Sequence, residues 1–332
     1  MQELFIKHLR SHIPENQSLI EQVASILNIH YDAAYRRVNS KTNLSLEEAV
    51  ILAKHYKISL NKLFEVGDEN TLLAEKSSPI RTAADLEFYF RSSYQSIQPL
   101  AKLKSASIIY SAKDIPIFYT LTDSWLTRYK FYVWLKFLNE DGSMEKQTFE
   151  DFATTIQPSL MKSALELSDM YKYIDVLEFW NDNTVNGTLQ QILYYYESNH
   201  ISKEMALLVC EDLKKVVDHV EEQAIRQVVT NSKNNASYQL YKSDLLTMSN
   251  TVMVKTSHQK MFYIPFTVLS YFRVSHPATC NELHRFFEKQ MKNSKLLIKS
   301  GEKDRALFFN RMLQKIQSVI DRIEVDRDLN FF

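Results

Sequence analysis

Glycine and cysteine are scarce in this chain of 332 residues, which has four of the first and two of the second. Few glycines argue against a phosphate-binding loop and against a fold dense in tight β-turns, and they favour helices. Two cysteines, Cys210 and Cys280, provide no disulfide framework, which is typical of a reducing compartment. The sequence also lacks a long apolar run and an N-terminal signal peptide. We therefore expect a cytoplasmic protein without a membrane segment.

Motifs of the common enzyme classes are absent as well. The sequence contains no glycine-rich nucleotide loop, no Gly-x-Ser-x-Gly nucleophile turn and no His-Glu-x-x-His zinc motif. We therefore predict a protein that is not an enzyme and that uses no cofactor. The formal net charge is zero, from 40 basic and 40 acidic side chains. Any surface that binds nucleic acid must then be local, with its charge diluted by the rest of the chain.

The pattern of apolar residues divides the chain into a short and a long region. Residues 1–66 carry apolar stripes at helical spacing and predict five short helices, the fourth of which begins at the capping box Ser45-Leu46-Glu47-Glu48. Residues 67–82 are polar and include a Ser-Ser-Pro, which predicts a linker, although a surface loop within one domain has the same composition. Residues 83–332 are predicted to form a second domain for sensing or dimerisation.

This second domain mixes two periodicities. Helical spacing is clear in six stretches: 83–103, 123–138, 158–178, 187–198, 202–228 and 302–324. β-like runs lie between them, and two of these, 251–255 and 261–266, have the separation of a hairpin. The predicted fold is therefore mostly α, with a helical N-terminal domain followed by an α+β domain that has a small antiparallel sheet.

Residues 19–38 have the internal spacing of two helices that cross at a tight turn. Ala24 is small where the helices must touch, and Asn28 suits the left-handed conformation in which the first helix must end. Ala34 and Val38 lie four residues apart and place one face of the second helix against the first. Such a helix-turn-helix presents the N-terminal half of its second helix to base edges in the major groove.

The segment ILNIHYDAAYRRVNSKTNLSLEEAVILAKHYKISLNKLF resembles regulators of the Xre/Cro type, especially their BetR-like helix-turn-helix domains. The likeness covers roughly residues 16–66, and its marks are AYRR in the recognition helix, LSLEEA in the fourth helix and ISLNKL in the fifth. Two positions depart from the family pattern: Asn28 replaces the usual glycine, and His30 replaces a Ser or Thr cap. The resemblance implies a lambda-repressor-like five-helix domain that binds double-stranded DNA, followed by a long domain of unknown ligand.

The resemblance also implies roles for individual side chains. It assigns base contacts to four residues of the recognition helix: Tyr31, Asp32, Tyr35 and Arg36. It assigns phosphate contacts to three residues at and after the end of that helix: Arg37, Lys41 and Asn43. Residues 1–66 hold eight Lys or Arg and seven Asp or Glu, a net charge of only +1. We therefore expect modest affinity from one copy and a homodimer on two half-sites.

Two functions are consistent with these patterns. The first is a transcriptional regulator whose second domain dimerises and binds a small-molecule or peptide effector. The second is a scaffold protein whose helix-turn-helix contacts another protein, an interpretation that the near-neutral charge favours.

Three further patterns have both a structural and a functional interpretation. His276, Cys280 and His284 share a helical face, but zinc needs a fourth ligand, so we expect a capping histidine and a core cysteine without a metal. The three tyrosines 194–196 either pack in a core or interface or line an effector pocket. The apolar stripe of helix 302–324 either docks on the sheet or dimerises.

Overall fold

The computed structural model describes residues 1–64, 72–103, 105–232, 234–244 and 249–325. The chain forms two compact units, Met1–Leu73 and Ala74–Phe332. The division falls within the predicted linker, of which residues 67–71 lie outside the described residues. The mostly helical α+β layout predicted from the sequence is confirmed. Within the described ranges, no helix has the length and apolar character needed to cross a lipid bilayer.

The described residues of the first unit form five short helices around one small core. They are α1 (Gln2–Arg10), α2 (Leu19–Leu27), α3 (Tyr31–Val38), α4 (Leu46–His55) and α5 (Leu60–Phe64). Helix α2 ends at Asn28, whose backbone is left-handed with φ 52° and ψ 50°, as predicted. The capping box that begins α4 is also present, because Ser45 and Glu48 each accept a hydrogen bond from the other's backbone N–H. The end of α2 and the start of α4 are therefore both set by residues that are close in sequence.

The second unit has helices on both faces of one sheet. Its helices are α6 (Ala83–Ile97), α7 (Ile117–Thr120), α8 (Trp125–Leu138), α9 (Phe149–Thr155), α10 (Pro158–Met170), α11 (Asn186–Glu197), α12 (Lys203–Arg226), α13 (Pro277–Lys292) and α14 (Glu302–Val325). Its strands are β1 (Glu75–Lys76), β2 (Ser107–Ser111), β3 (Asp175–Trp180), β4 (Tyr238–Lys242), β5 (Thr251–Lys255), β6 (Lys260–Thr267), β7 (Ser270–Val274) and β8 (Lys295–Leu296).

The sheet is larger than predicted, and it is mixed. Its strand order is β1-β7-β6-β5-β2-β3-β4-β8. The central strands β2, β3 and β4 run parallel, and the other pairs are antiparallel. The expected small antiparallel sheet is matched only roughly, because parallel pairing of β2, β3 and β4 joins strands that lie far apart in sequence and leaves no hairpin signal. The predicted hairpin is confirmed as β5 and β6.

Strand β3 corrects one helix prediction. The helical pattern predicted over 158–178 ends at Met170, and Asp175–Trp180 is extended. A parallel strand buried on both faces has no polar–apolar alternation, so its sequence is hard to distinguish from a helix. Strand β3 has parallel neighbours on both sides, which explains why its first residues, up to residue 178, were predicted as a continuation of α10.

The two faces of the sheet are covered unequally. On one side, helix α13 covers a small cluster in which the ring of Phe287 stacks on that of Phe179, with centroids 5.8 Å apart. On the other side lies the main core, which includes residues of α6, α8, α10, α11, α12 and α14. The stripe of α14 is buried there, and this helix packs against α12. Its apolar face is therefore occupied within the chain.

One carboxyl group is enclosed in this main core. Glu178 of β3 is fully buried and accepts hydrogen bonds from Tyr119 (3.1 Å), Tyr238 (2.8 Å), the indole of Trp180 (2.9 Å) and, at closer range, Tyr171. The four donors favour the carboxylate, but burial disfavours it more strongly and raises the pKa of Glu178 to about 7.

Candidate nucleic-acid interface

Helix α3 has one buried and one exposed face. Ala34 is fully buried and Val38 nearly so, which anchors the helix on α2. The four residues predicted to contact bases all have exposed side chains: Tyr31, Asp32, Tyr35 and Arg36. The structure therefore brings these four side chains together on one exposed face of α3.

The start of α3 is set by the backbone and not by a capping side chain. His30 stands at the N-cap in an extended conformation, with φ −63° and ψ 150°, and its side chain makes no capping hydrogen bond to the described residues. The preceding turn is closed instead by the N–H of Ile29, which donates to the carbonyl oxygen of Ala24 at 3.0 Å. The left-handed Asn28 allows this closure, so it sets the direction in which α3 leaves the turn.

Two exposed cations flank the tyrosine in the middle of this surface. Arg36 lies along its own helix, where its Nε donates to the carbonyl oxygen of Asp32 at 3.3 Å. Lys41 lies beyond the end of α3, with its Nζ 5.1 Å from the ring centroid of Tyr35. Both contacts are weak and solvent-exposed, so both side chains can turn towards a ligand at small cost.

Arg37 has a different environment from its neighbour. Its Nε lies 2.9 Å from each carboxylate oxygen of Glu48, a terminal nitrogen lies 2.7 Å from the same carboxylate, and another donates to the carbonyl oxygen of Ala33 at 3.2 Å. This hydrogen-bonded pair lowers the pKa of Glu48 and raises that of Arg37. The sequence suggested a phosphate contact for Arg37, whereas the structure gives it an intramolecular partner that ties α3 to α4.

Gln2 is a positioning residue that the sequence did not reveal. Its amide nitrogen donates to the carbonyl oxygens of Arg37 and Thr42, each at 2.9 Å, and its amide oxygen accepts from the N–H of Leu44 at 2.8 Å. These bonds fix the loop that carries Lys41 and Asn43, both exposed. No local signal marks Gln2, because its partners lie 35 to 42 residues away.

The surface formed by α3 and the following loop has only a small positive charge. Since Glu48 balances Arg37, the exposed cations of the described recognition helix and loop are Arg36 and Lys41. Comparison of the chain with protein-family models, with curated proteins and with solved structures gives no match.

The candidate zinc ligands of α13 have separate surroundings. His276 bonds the hydroxyl of Thr279 at 3.0 Å, and the thiol of Cys280 is buried, 3.7 Å from a carbonyl oxygen. His284 lies 3.4 Å from the Nζ of Lys255. Within the described parts of the chain, no three His, Cys, Asp or Glu side chains are grouped so that they could hold a metal ion.

The tyrosine run in α11 has a mixed environment. Tyr195 is buried and Tyr196 packs against the main core, whereas Tyr194 is exposed. Tyr194 and Tyr195 also line a cavity of about 660 Å³ within the second unit. Both interpretations of this run, core packing and a ligand pocket, therefore have a structural counterpart.

Proposed function

We propose that this chain is a sequence-specific DNA-binding transcriptional regulator that acts in the cytoplasm as a homodimer and is not an enzyme. The observation that carries the proposal is the exposed face of α3, which follows a left-handed turn and lies opposite the face that packs against α2. This is the arrangement with which a helix-turn-helix enters the major groove. The resemblance of residues 16–66 to Xre/Cro-type regulators supports the same function.

Arg36 is the proposed principal base reader. Its guanidinium can donate two hydrogen bonds to O6 and N7 of guanine, a contact that contributes about 1–3 kcal/mol of discrimination. Tyr31, Asp32 and Tyr35 would complete the base-reading surface, while Lys41 and Asn43 would contact phosphates. Arg37 would act indirectly, by holding α3 against α4 through Glu48.

Dimerisation follows from the charge of the interface. Two exposed cations give a small phosphate contribution per copy, so useful affinity requires two recognition helices on half-sites about one helical turn apart. We assign dimerisation and the response to a small-molecule or peptide effector to the second unit. Such an effector acts only if it binds two states of the dimer with different affinity.

Selection of the full-length protein on randomised duplex DNA tests the proposal. We compare wild type with Arg36→Ala and with Arg10→Ala, which removes the same charge from an exposed position at the end of α1. Wild type and Arg10→Ala should enrich the same inverted repeat, while Arg36→Ala should lose information at one position per half-site and about tenfold or more in affinity. Lys41→Ala should weaken all sequences equally and reduce the salt dependence of binding.

A protein-interaction role is the alternative, and one observation favours it. Leu46, at the start of α4, has 80% of its surface exposed, and Ile51 of the same helix is exposed too. Exposed apolar side chains beside a weakly charged helix suit a protein partner better than phosphates. The absence of an enriched sequence, together with DNA binding that does not depend on salt, would favour this alternative.

A further inference from the structure

The cavity of the second unit combines aromatic walls with one deeply buried cation. Its volume of about 660 Å³ is typical of a small-molecule site. Side chains from β2, α8, α11 and β7 form its aromatic walls: Tyr110, Trp134, Tyr195 and Tyr271. Two further rings that line it, Phe137 and Tyr194, are exposed to solvent. Exposed aromatic residues beside a cavity indicate a surface that a ligand could cover.

Lys130 of α8 is the cation. Only 3% of its surface is exposed, and its Nζ donates to the hydroxyl of Thr188 at 2.8 Å and to the amide oxygen of Gln191 at 3.1 Å. An ammonium group has three N–H donors, so these two bonds, with the described residues, leave one donor. The third donor makes no hydrogen bond with the described residues, so it can donate to an acceptor on a ligand in the cavity.

Asp114 supplies a carboxylate beside this ammonium, outside hydrogen-bonding distance. Its Oδ2 lies 3.9 Å from Nζ of Lys130. Its Oδ1 already accepts hydrogen bonds from the N–H of Ile115 at 2.9 Å and from the hydroxyl of Thr188 at 3.4 Å. Oδ2 accepts no hydrogen bond from the described residues. The cavity is therefore lined by an ion pair, Lys130 with Asp114, whose 3.9 Å separation is too long for a hydrogen bond.

Gly187 keeps the space next to Asp114 open. It is the second residue of α11, and a side-chain carbon built there would lie 3.3 Å from Oδ2 of Asp114. Its backbone is not left-handed, so the conformation does not require glycine. Glycine in a helix costs about 1 kcal/mol relative to alanine. One of only four glycines in the chain is thus placed where any side chain would crowd this carboxylate.

We propose that this cavity binds an α-amino acid with an aromatic or large apolar side chain. The ligand carboxylate would meet Lys130, the ligand ammonium would meet Asp114, and the side chain would lie against the aromatic walls. In an α-amino acid the two charged groups are joined through one carbon, so they match two protein charges that are close together. Because Lys130 and Asp114 balance each other, a ligand without net charge fits better than an anion or a cation.

Calorimetric titration of the full-length protein tests this inference. The probes are L-phenylalanine, L-tryptophan and L-leucine. Three comparators each lack one recognised feature: N-acetyl-L-phenylalanine lacks the ammonium, L-phenylalanine amide lacks the carboxylate, and L-alanine lacks the large side chain. We expect at least one probe to bind, and its comparators to bind about tenfold to a hundredfold more weakly. Absence of binding by all three probes to the folded protein would overturn the inference.

Variants of the cavity residues assign the two charges. Asp114→Asn should abolish the preference for a ligand ammonium, and Lys130→Met should abolish the preference for a ligand carboxylate, while the exposed Lys162→Met should change neither. Gly187→Ala is the decisive variant if the others fold poorly, because alanine favours the helix and yet should weaken binding. Unchanged affinity in Asp114→Asn, Lys130→Met and Gly187→Ala would also reject the site.

This inference rests on the proposed function only in that it names the effector. Operator binding and amino-acid binding can be tested separately. Arg36→Ala should weaken operator binding by about tenfold or more but keep amino-acid binding. Lys130→Met should keep operator binding and lose its response to the amino acid, both measured by fluorescence anisotropy on labelled operator. Amino-acid binding by a protein that selects no DNA sequence would refute the proposed function and leave the cavity assignment standing.

Discussion

The candidate functional residues are exposed in the first unit and buried in the second. In the first unit, a core of buried apolar side chains supports exposed residues on α3. In the second unit, the notable polar groups are inside: Glu178 is enclosed by aromatic donors, and Lys130 lines a cavity. Exposed polar residues on a helix suit a large, charged partner such as duplex DNA. A cavity with buried polar groups suits a small molecule that is transferred from water into the protein.

The two units also differ in the sequence separation of the residues that make these stabilising contacts. Within the first unit, the turn at Asn28 and the cap at Ser45 use partners three to five residues away. Within the second unit, Glu178 depends on Tyr119 and Tyr238, which are 59 and 60 residues away. We therefore expect changes inside the second unit to have the largest effects on stability, and changes at single caps and turns to have the smallest.

The largest effect is expected from the main core. Phe309→Ala should lower the free energy of unfolding by about 3–5 kcal/mol, because the ring is fully buried and its loss leaves a cavity. Urea denaturation followed by circular dichroism measures the loss. Leu307→Ala on the same helix is the control, since Leu307 is 49% exposed and should lose less than about 1 kcal/mol. Equal losses would contradict the assignment of α14 to the core.

The buried carboxyl group should make stability depend on pH. The pKa of Glu178 rises from its ordinary 4.5 to about 7, so the folded protein keeps a proton that the unfolded chain releases. This contribution is complete below pH 4.5 and is lost as the pH rises through about 7, a change of about 3 kcal/mol.

The isosteric Glu178→Gln variant isolates that contribution, because glutamine does not titrate. Urea unfolding at several pH values between 4.5 and 8 should show wild type losing stability relative to the variant as the pH rises. A constant difference between the two proteins over this range would show that Glu178 has the same protonation state when folded and unfolded.

The two adjacent arginines of α3 should differ within the first unit. Arg37→Ala removes a hydrogen-bonded ion pair that is about four-fifths buried and leaves Glu48 without its cation, so we expect a loss of about 2 kcal/mol. Arg36→Ala should change stability by less than about 0.5 kcal/mol, since its head is exposed. Thermal unfolding of both variants measures this, and a larger loss for Arg36→Ala would reverse the roles assigned here.

A smaller loss of stability than that of Arg37→Ala is expected at the turn of the helix-turn-helix. Asn28→Ala should cost about 1 kcal/mol, because alanine is strained at φ 52°, whereas Asn28→Gly should be neutral or slightly stabilising. The same unfolding experiment compares the two substitutions. A destabilising glycine would mean that the Asn28 side chain, and not its backbone conformation, holds the turn.

The two units also differ in how far their structure could be predicted. The five helices, the left-handed Asn28 and the capping box follow from residues within one or two helical turns of each other. The ion pair of Arg37 was not predicted, because its carboxylate partner, Glu48, lies 11 residues away on another helix. In the second unit the hairpin of β5 and β6 was local enough to predict, while the parallel core around β3 was not.

The cavity residues show why the rest could not be anticipated. Lys130 donates to Thr188, which is 58 residues away in the sequence. The N–H of Asp114 donates to the amide oxygen of Asn250, which is 136 residues away. Nothing in the neighbourhood of any one of them marks it as part of a site. The tyrosine run in α11 was a visible sign, but it was also consistent with core packing.

The two ends of the sheet have a consequence for how copies of this chain can associate. Strands β1 and β8, which form its edges, are two residues long each, and their sequences are Glu75-Lys76 and Lys295-Leu296. Short, charged border strands discourage the pairing of backbones between molecules. Copies of the chain would then associate through side chains on helices. Substitutions on those helices could change which surfaces associate without exposing a strand edge of the sheet.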